Sequence, residues 1–272
     1  MHSTGTDESS SYPTIELDEV DSTNVEALRR AGRGARGPMW ISARRQTAGR
    51  GRSGRRWISE PHNLAATLLM VPGCGVGELH QLSLVTGVAV HDALAEVAAA
   101  GGETGSPPKP ALLLKWPNDV LANGAKLGGI LIESTTIGGE AVAVIGIGIN
   151  VAAAPHIDGK QTIALADLGI ATASRELLAA VDRHLRRWCV IWANGQRFDL
   201  VREAWLERAH RPGAAISVHT GNATHHGLFA GIDETGALLV DSVPGQSNTL
   251  RRFTFGDVSL VAPQDPEGNA HA

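Results

Sequence analysis

The segment Arg44 to Trp57, RRQTAGRGRSGRRW, constrains this chain more than any other stretch. It packs six arginines and three glycines into fourteen residues, between two runs that read as strands, Pro38 to Ala43 and Leu64 to Val71. A loop tethered to strands at both ends has to be displayed by a sheet. Gly49, Gly51 and Gly54 lack Cβ and admit positive φ, so backbone N–H groups can turn toward an anion, while the arginines add fixed charge and forked donors. The composition asks for an anionic guest. Two plainer readings stand beside it: an arginine-glycine segment that binds RNA nonspecifically, or a solvated turn between strands.

Charge and length narrow these readings. The 272 residues carry a net charge of -4, whereas a general nucleic-acid binder shows a domain-wide basic excess. Here the positive charge is local, as a small anionic ligand requires. The length predicts a core of about 200 residues plus a small second domain. Cys74 and Cys189 have neither disulfide nor metal-ligand spacing, which suits a reducing cytoplasm. The opening MHSTGTDESSSYP lacks the features of a secretory signal, and no stretch is read as a membrane span, so a soluble protein is expected.

In chain order, residues 1–11 read as a disordered tail, Thr14 to Val20 as a strand, and the segment after Asp21 and Ser22 as a helix to about Ala31, with Thr23 and Glu26 at capping-box spacing. Gly77 to Ala100 reads as a core helix, Gly101 to Pro110 as a loop, and Ala111 to Lys115 as a short buried strand. Asn123-Gly124 predicts a hairpin joining Asp119 to Leu121 with Ala125 to Ser134, and Ala141 to Val151 is a further strand. Helices are expected at about 162–168, 174–193 and 198–209, with Trp188 and Trp192 as core anchors. After Arg211-Pro212-Gly213 the pattern changes to short strands near 215–219, 224–232, 237–241, 248–254 and 258–261, a small β-barrel by count. Residues 263–272 read as a second disordered tail. None of His80, His91, His225 and His226 has metal-ligand spacing.

Four other segments join the basic loop in a pattern: DSTN at Asp21 to Asn24, KWPND at Lys115 to Asp119, KLGGILIE at Lys126 to Glu133, and GIGINV at Gly146 to Val151. In this order the set resembles the biotin protein ligases, which adenylate biotin and transfer it to a lysine of a carrier protein. The resemblance implies an α/β (α+β) catalytic domain over residues 12–211, a mixed β-sheet flanked by helices, and an SH3-like β-barrel over 212–262. It implies ATP with Mg2+ and biotin as substrates, and the biotin carboxyl carrier protein or domain of a carboxylase as partner. Some members carry an N-terminal helix-turn-helix. About a dozen residues precede the first strand here, so no DNA binding is expected. A monomer or a homodimer is equally compatible.

The resemblance also implies roles. Ser22, Thr23, Asn24 and Gln46 serve the ureido ring of biotin, and Arg50, Gly51 and Arg52 close over biotin and the forming phosphate. Lys126 bridges the carboxylate and the α-phosphate. Gly49, Arg55, Trp57, Asn118 and Asn150 serve the nucleotide, and Asp119 acts near the metal or the acceptor lysine. No metal is held by the protein alone. Clustered like charge predicts that residues 46–55 order only around an anion. The rivals are a lipoate-type ligase, which would adenylate a different small carboxylate, and a noncatalytic RNA-binding protein.

Overall fold

The computed structural model describes residues 11–100, 109–221, 223–243 and 249–260. The expected tails lie, apart from Ser11, outside these residues, as does most of the expected loop at 101–110. The elements in order are β1 (Thr14–Val20), α1 (Thr23–Gly32), β2 (Met39–Gln46), β3 (Leu64–Met70), α2 (Leu82–Ala100), β4 (Leu112–Lys115), β5 (Asp119–Ala122), β6 (Ala125–Ile137) and β7 (Glu140–Ile149). There follow α3 (Ser174–Trp192), α4 (Phe198–Glu207), β8 (Ala215–Thr220), β9 (Ala223–Ile232), β10 (Leu238–Asp241), β11 (Arg251–Phe253) and β12 (Asp257–Leu260).

Strands β1 to β7 form one mixed sheet in the order β1-β2-β3-β7-β6-β5-β4. The β1/β2 pair is parallel because α1 crosses between them, and the other neighbours are antiparallel. Asn123 and Gly124, at φ 49° and 82°, make the expected tight turn between β5 and β6. The last five strands make a separate antiparallel sheet, β11-β10-β9-β8-β12, the expected small β domain.

Side chains alternate across the large sheet, and its two faces are covered differently. Leu64 and Leu68 of β3 and Ile145, Ile147 and Ile149 of β7 pack with α2, α3 and α4 in the main core. On the opposite face Leu69, Val142 and Val144 meet Ala27 and Ala31 of α1. Beyond the N-terminal end of α1 that second face is left to smaller residues, and the site forms there. Helix α2 is buried over Leu84 to Val90 without a break, because sheet and helices surround it. With the 3-10 turn Val76–Gln81 before it, Val76–Ala100 is long and apolar enough to cross a membrane by composition, which corrects the sequence reading. Here it is the central helix of the core.

Three local expectations fail. The capping box at the start of α1 is absent: Ser22 occupies the N-cap without a side-chain cap bond, Glu26 pairs with Arg30 at 2.8 Å, and the Thr23 hydroxyl is drawn to Gln46. Residues 162–168 are not a helix. Only Ala166–Leu168 forms a 3-10 turn, since Thr162 and Ile163 lie extended beside Lys126, with Ile163 N donating to Lys126 O at 3.0 Å. Of the strand expected at 248–254, residue 248 lies outside the described residues and the remainder is strand only over β11.

Four tryptophans anchor this frame through their indole N–H groups: Trp40 on Asp182, Trp116 on the Gly236 carbonyl, Trp188 on Asp92 and Trp192 on Gln81, at 2.7–3.0 Å. The Trp116 bond crosses from the large sheet to the small one. Among the described residues no three His, Cys, Asp or Glu side chains converge as a metal site.

Candidate functional site

The floor of the site is the second face of β3, β7 and β6. In register across it lie Thr67, Gly146 and Leu131, then Ala65, Gly148 and Gly129. The glycines clear space for neighbours that enter from elsewhere. A Cβ on Gly146 would stand 2.2 Å from Asn24 Oδ1, and one on Gly148 2.4 Å from the Trp57 ring.

A buried polar cluster occupies the end of the floor nearest α1. Thr23 donates from N and Oγ1 to Gln46 Oε1 at 2.9 and 3.1 Å. Thr67 Oγ1 lies 2.7 Å from both Thr23 Oγ1 and Asn24 Oδ1, and Asn24 Nδ2 donates to Glu133 Oε2 at 2.9 Å. Ser22, Thr23 and Asn24 are all at most 4% exposed. Each side chain is oriented by the next, so the cluster presents a fixed set of donors and acceptors.

The basic loop folds over the floor as a short hairpin. Trp57 N donates to Gly49 O and Gly51 N to Arg55 O, and the chain reverses at Ser53 and Gly54, both at positive φ. Gly49 is required because a Cβ there would lie 2.5 Å from Trp57 O. The like charge within the loop is met by partners outside it. Arg50 meets Glu133 at 3.2 Å, Arg55 meets Asp257 at 2.8 Å, and Arg52 lies 3.5 Å from Asp257. Arg52 also donates to Asn118 Oδ1 and to the Gly256 carbonyl, each at 3.2 Å. Burial pulls the Arg52 pKa down from its ordinary value, with Asp257 opposing. Gly256 and Asp257 belong to the small β domain, so that domain holds the loop over the site.

KWPND and KLGGILIE meet through the β5/β6 hairpin. Asp119 receives Lys126 at 2.5 Å on one carboxylate oxygen and Lys115 at 2.9 Å on the other. Burial alone would raise its pKa, but the two ammonium groups outweigh it and hold the carboxyl below its ordinary value. The Lys126 ammonium lies 5.9 Å from the centre of the Trp57 ring. Asn118 is held by the β6 edge, donating to Ile130 O at 2.6 Å. Asn150 is 1% exposed and donates to Ile163 O at 3.1 Å. Two buried polar atoms around Lys126 have no partner, Trp57 Nε1 and Asn150 Oδ1. An unpaired donor and acceptor of this kind are costly unless a ligand satisfies them.

The structure thus gathers every residue singled out above, with Asn150 at the end of β7 also tying the 162–165 segment to that strand. Four participants escaped the sequence reading: Thr67, Lys115, Glu133 and Asp257. Thr67 is a lone polar residue in LAATLLM, and Lys115 and Glu133 lie inside quoted motifs, so each left a trace. Asp257 left none. Arg50, Arg52, Arg55, Lys115 and Lys126 face the carboxylates Asp119, Glu133 and Asp257, an excess of two positive charges that suits an anionic ligand.

A model of the Biotin/lipoate A/B protein ligase family matches residues 41–150, and one of the Biotin protein ligase C terminal domain matches residues 213–261. The chain is 40% identical over 237 residues to the biotin--[acetyl-CoA-carboxylase] ligase of Paracoccus denitrificans, covering 85% of this chain and 95% of that one. It is 34% identical over 232 residues to the protein of the same name from Mycobacterium tuberculosis, covering 82% and 81%. Among solved structures, the biotin protein ligase from Aquifex aeolicus in complex with biotin and ATP matches with a TM-score of 0.73 at 26% identity, over 92% of this chain and 98% of that one. A relative at this identity, covered nearly from end to end, and matches to both the catalytic and the C-terminal models have one reading: the chain belongs to the biotin protein ligase family.

Proposed function

We propose that this site joins the carboxylate of biotin to the α-phosphate of ATP and then passes biotin to a lysine of a carboxylase carrier domain. In the first step a carboxylate oxygen bonds to the α-phosphorus and pyrophosphate leaves with the electron pair of the broken P–O bond. In the second the carrier amine bonds to the biotin carbonyl, AMP leaves, and the nitrogen gives up a proton. Lys126 carries the reading: a cation on a glycine-cleared floor, between a buried polar cluster and an arginine hairpin.

Ser22, Thr23, Asn24 and Gln46 offer the short donors and acceptors that a ureido ring needs. Arg50, Gly51 and Arg52 roof the carboxylate, and Lys126 neutralises it together with the α-phosphate as charge builds in the transition state. Gly49, Arg55, Trp57, Asn118 and Asn150 flank the nucleotide, and the unpaired Trp57 Nε1 and Asn150 Oδ1 support that side. The site's carboxylates are all engaged by cations, so Mg2+ enters with the phosphates of ATP and keeps mostly water and phosphate oxygen as ligands. The test is biotin-dependent pyrophosphate release followed by transfer to a carrier domain, with lipoate as competitor. Release driven by lipoate and not by biotin would overturn the reading.

A further inference from the structure

Lys115 has no part in the roles above, yet two directions of the structure bind it into the site. Its ammonium lies 2.9 Å from Asp119 Oδ2 and donates to the Val258 carbonyl of β12 at 3.0 Å. Lys126 holds the other oxygen of the same carboxylate. Asp119, with its side chain 14% exposed, thus stands between two cations that differ in what else holds them. Lys126 faces the Trp57 ring and the Gly129 backbone at the floor of the site. Lys115 is fixed to the small β domain, one residue along β12 from the Asp257 that pairs with Arg52 and Arg55.

We propose that Lys115 is a positioning residue that keeps Asp119 paired when Lys126 leaves it for the substrate anions. The inference rests on the role of Lys126 given above. Lys126 spends one of its three N–H donors on Asp119 at 2.5 Å, and two incoming anions compete with Asp119 for the same ammonium. Stranding a mostly buried carboxylate is costly, because a charge that has lost its partner is left uncompensated in a poor solvent for it. Lys115, anchored by the Val258 carbonyl of β12, remains on Asp119. With Lys126 drawn away, burial still opposes the Asp119 charge, and Lys115 is the cation left to hold it. Lys115 therefore assists adenylation without touching biotin or ATP, and it does so only while β12 is docked.

The experiment follows biotin-dependent pyrophosphate exchange and biotin affinity by calorimetry in the full chain. Lys115→Met should lower the exchange rate about tenfold to a hundredfold, the scale of a partly stranded buried charge, with biotin affinity changed less than about threefold. Lys115→Arg keeps the charge and should stay within about fivefold of the unaltered chain. In an Asp119→Asn background there is no charge to strand, so adding Lys115→Met should cost less than about threefold more. The inference is overturned if Lys115→Met exchanges within about threefold of the unaltered chain, if Lys115→Arg loses as much as Lys115→Met, or if the loss is the same in both backgrounds. Should Lys115→Met fail to fold, Lys115→Gln takes its place in every arm with the same expected and overturning results. Lys126→Ala run alongside separates the two claims. If it exchanges normally, the reading of Lys126 fails and the inference with it; if it is crippled while the Lys115 variants are unaffected, the inference fails alone.

Discussion

The two faces of β7 part company over its last five residues. Ile145, Ile147 and Ile149 press into the helical layer, while Gly146 and Gly148 between them offer no side chain at all to the other face. One strand therefore contributes most of its bulk to stability and reserves its emptiness for Asn24 and Trp57. The contrast teaches that this chain's GIGIN run is two messages interleaved with a period of two, one about packing and one about access. Each can be altered without the other.

The contrast is sharpened most by Lys126→Ala, on the open face. Losing a charge-assisted contact to the transition state should cost roughly 2.7 to 4 kcal/mol, about a hundred- to a thousandfold in adenylation rate. The melting temperature should stay near that of the unaltered chain. Adenylation within about tenfold would remove Lys126 from its role.

On the packed face, Ile147→Ala should behave in the opposite way. It should lower unfolding free energy by about 2 to 5 kcal/mol in denaturant titrations and leave biotin affinity nearly unchanged in the fraction that folds. Its partner on the open face, Gly148→Ala, would force the Trp57 ring aside. That overpacking should raise the KM for ATP about tenfold, whereas Gly146→Ala should act on biotin through Asn24. If both glycine variants weaken the same substrate, the division of the floor is wrong.

A smaller effect is expected from the hairpin above the floor. Arg52→Gly removes the bonds to Asn118 and Gly256 and leaves Arg55 alone on Asp257. Adenylate should still form but escape faster, by about tenfold for the loss of one charged contact, and acylate bystander lysines. Stopped-flow release and labelling of a protein lacking a carrier domain measure both. Unchanged release would leave Arg50 or Arg55 as the retaining residue.

An effect that should leave both faces of the floor untouched lies far from it, in the turn beneath Trp116. Burial would raise the Asp233 carboxyl, but Arg252 and the hydroxyl and amides of Thr235 and Ala237 bring it down to about 2. A depressed folded pKa means that its contribution is complete above the ordinary carboxylate value and is lost as pH falls toward about 2. Asp233→Asn should therefore destabilise by about 1 to 3 kcal/mol at neutral pH and lose that difference in acid. Parallel acid titrations of the two chains would refute this.

Much of this was legible in the sequence because it is local. The strand-loop-strand frame around RRQTAGRGRSGRRW, the Asn123-Gly124 hairpin and the two-sided burial of Leu64 to Val71 need only near neighbours. Residues 162–168 were misread because TIALADL has helical spacing, while its fate is decided by the Lys126 backbone some forty residues earlier. One counter-ion of the site, Asp257, was invisible for the same reason. Nothing near Asp257 in the chain suggests that it will meet Arg55, since that pairing depends on how two sheets dock.

The docking itself has a property that bears on how such chains diverge. Arg52, Lys115, Trp116 and Arg202 reach the small β domain by donating to the carbonyls of Gly256, Val258, Gly236 and Ile232, and His80 meets the carbonyl of Thr235. A main-chain carbonyl is present whatever residue carries it, so these five bonds register the path of the backbone and are blind to its side chains. Apart from Asp257, Gly236 against Leu84 and Phe198, and the apolar side chains such as Ile232 and Leu238 that join the main core, the outer domain can drift in sequence at little cost to the catalytic half, provided its turns keep their shape. Grafting a foreign barrel of matching backbone onto this catalytic half should then succeed more often than sequence similarity between the donors would suggest.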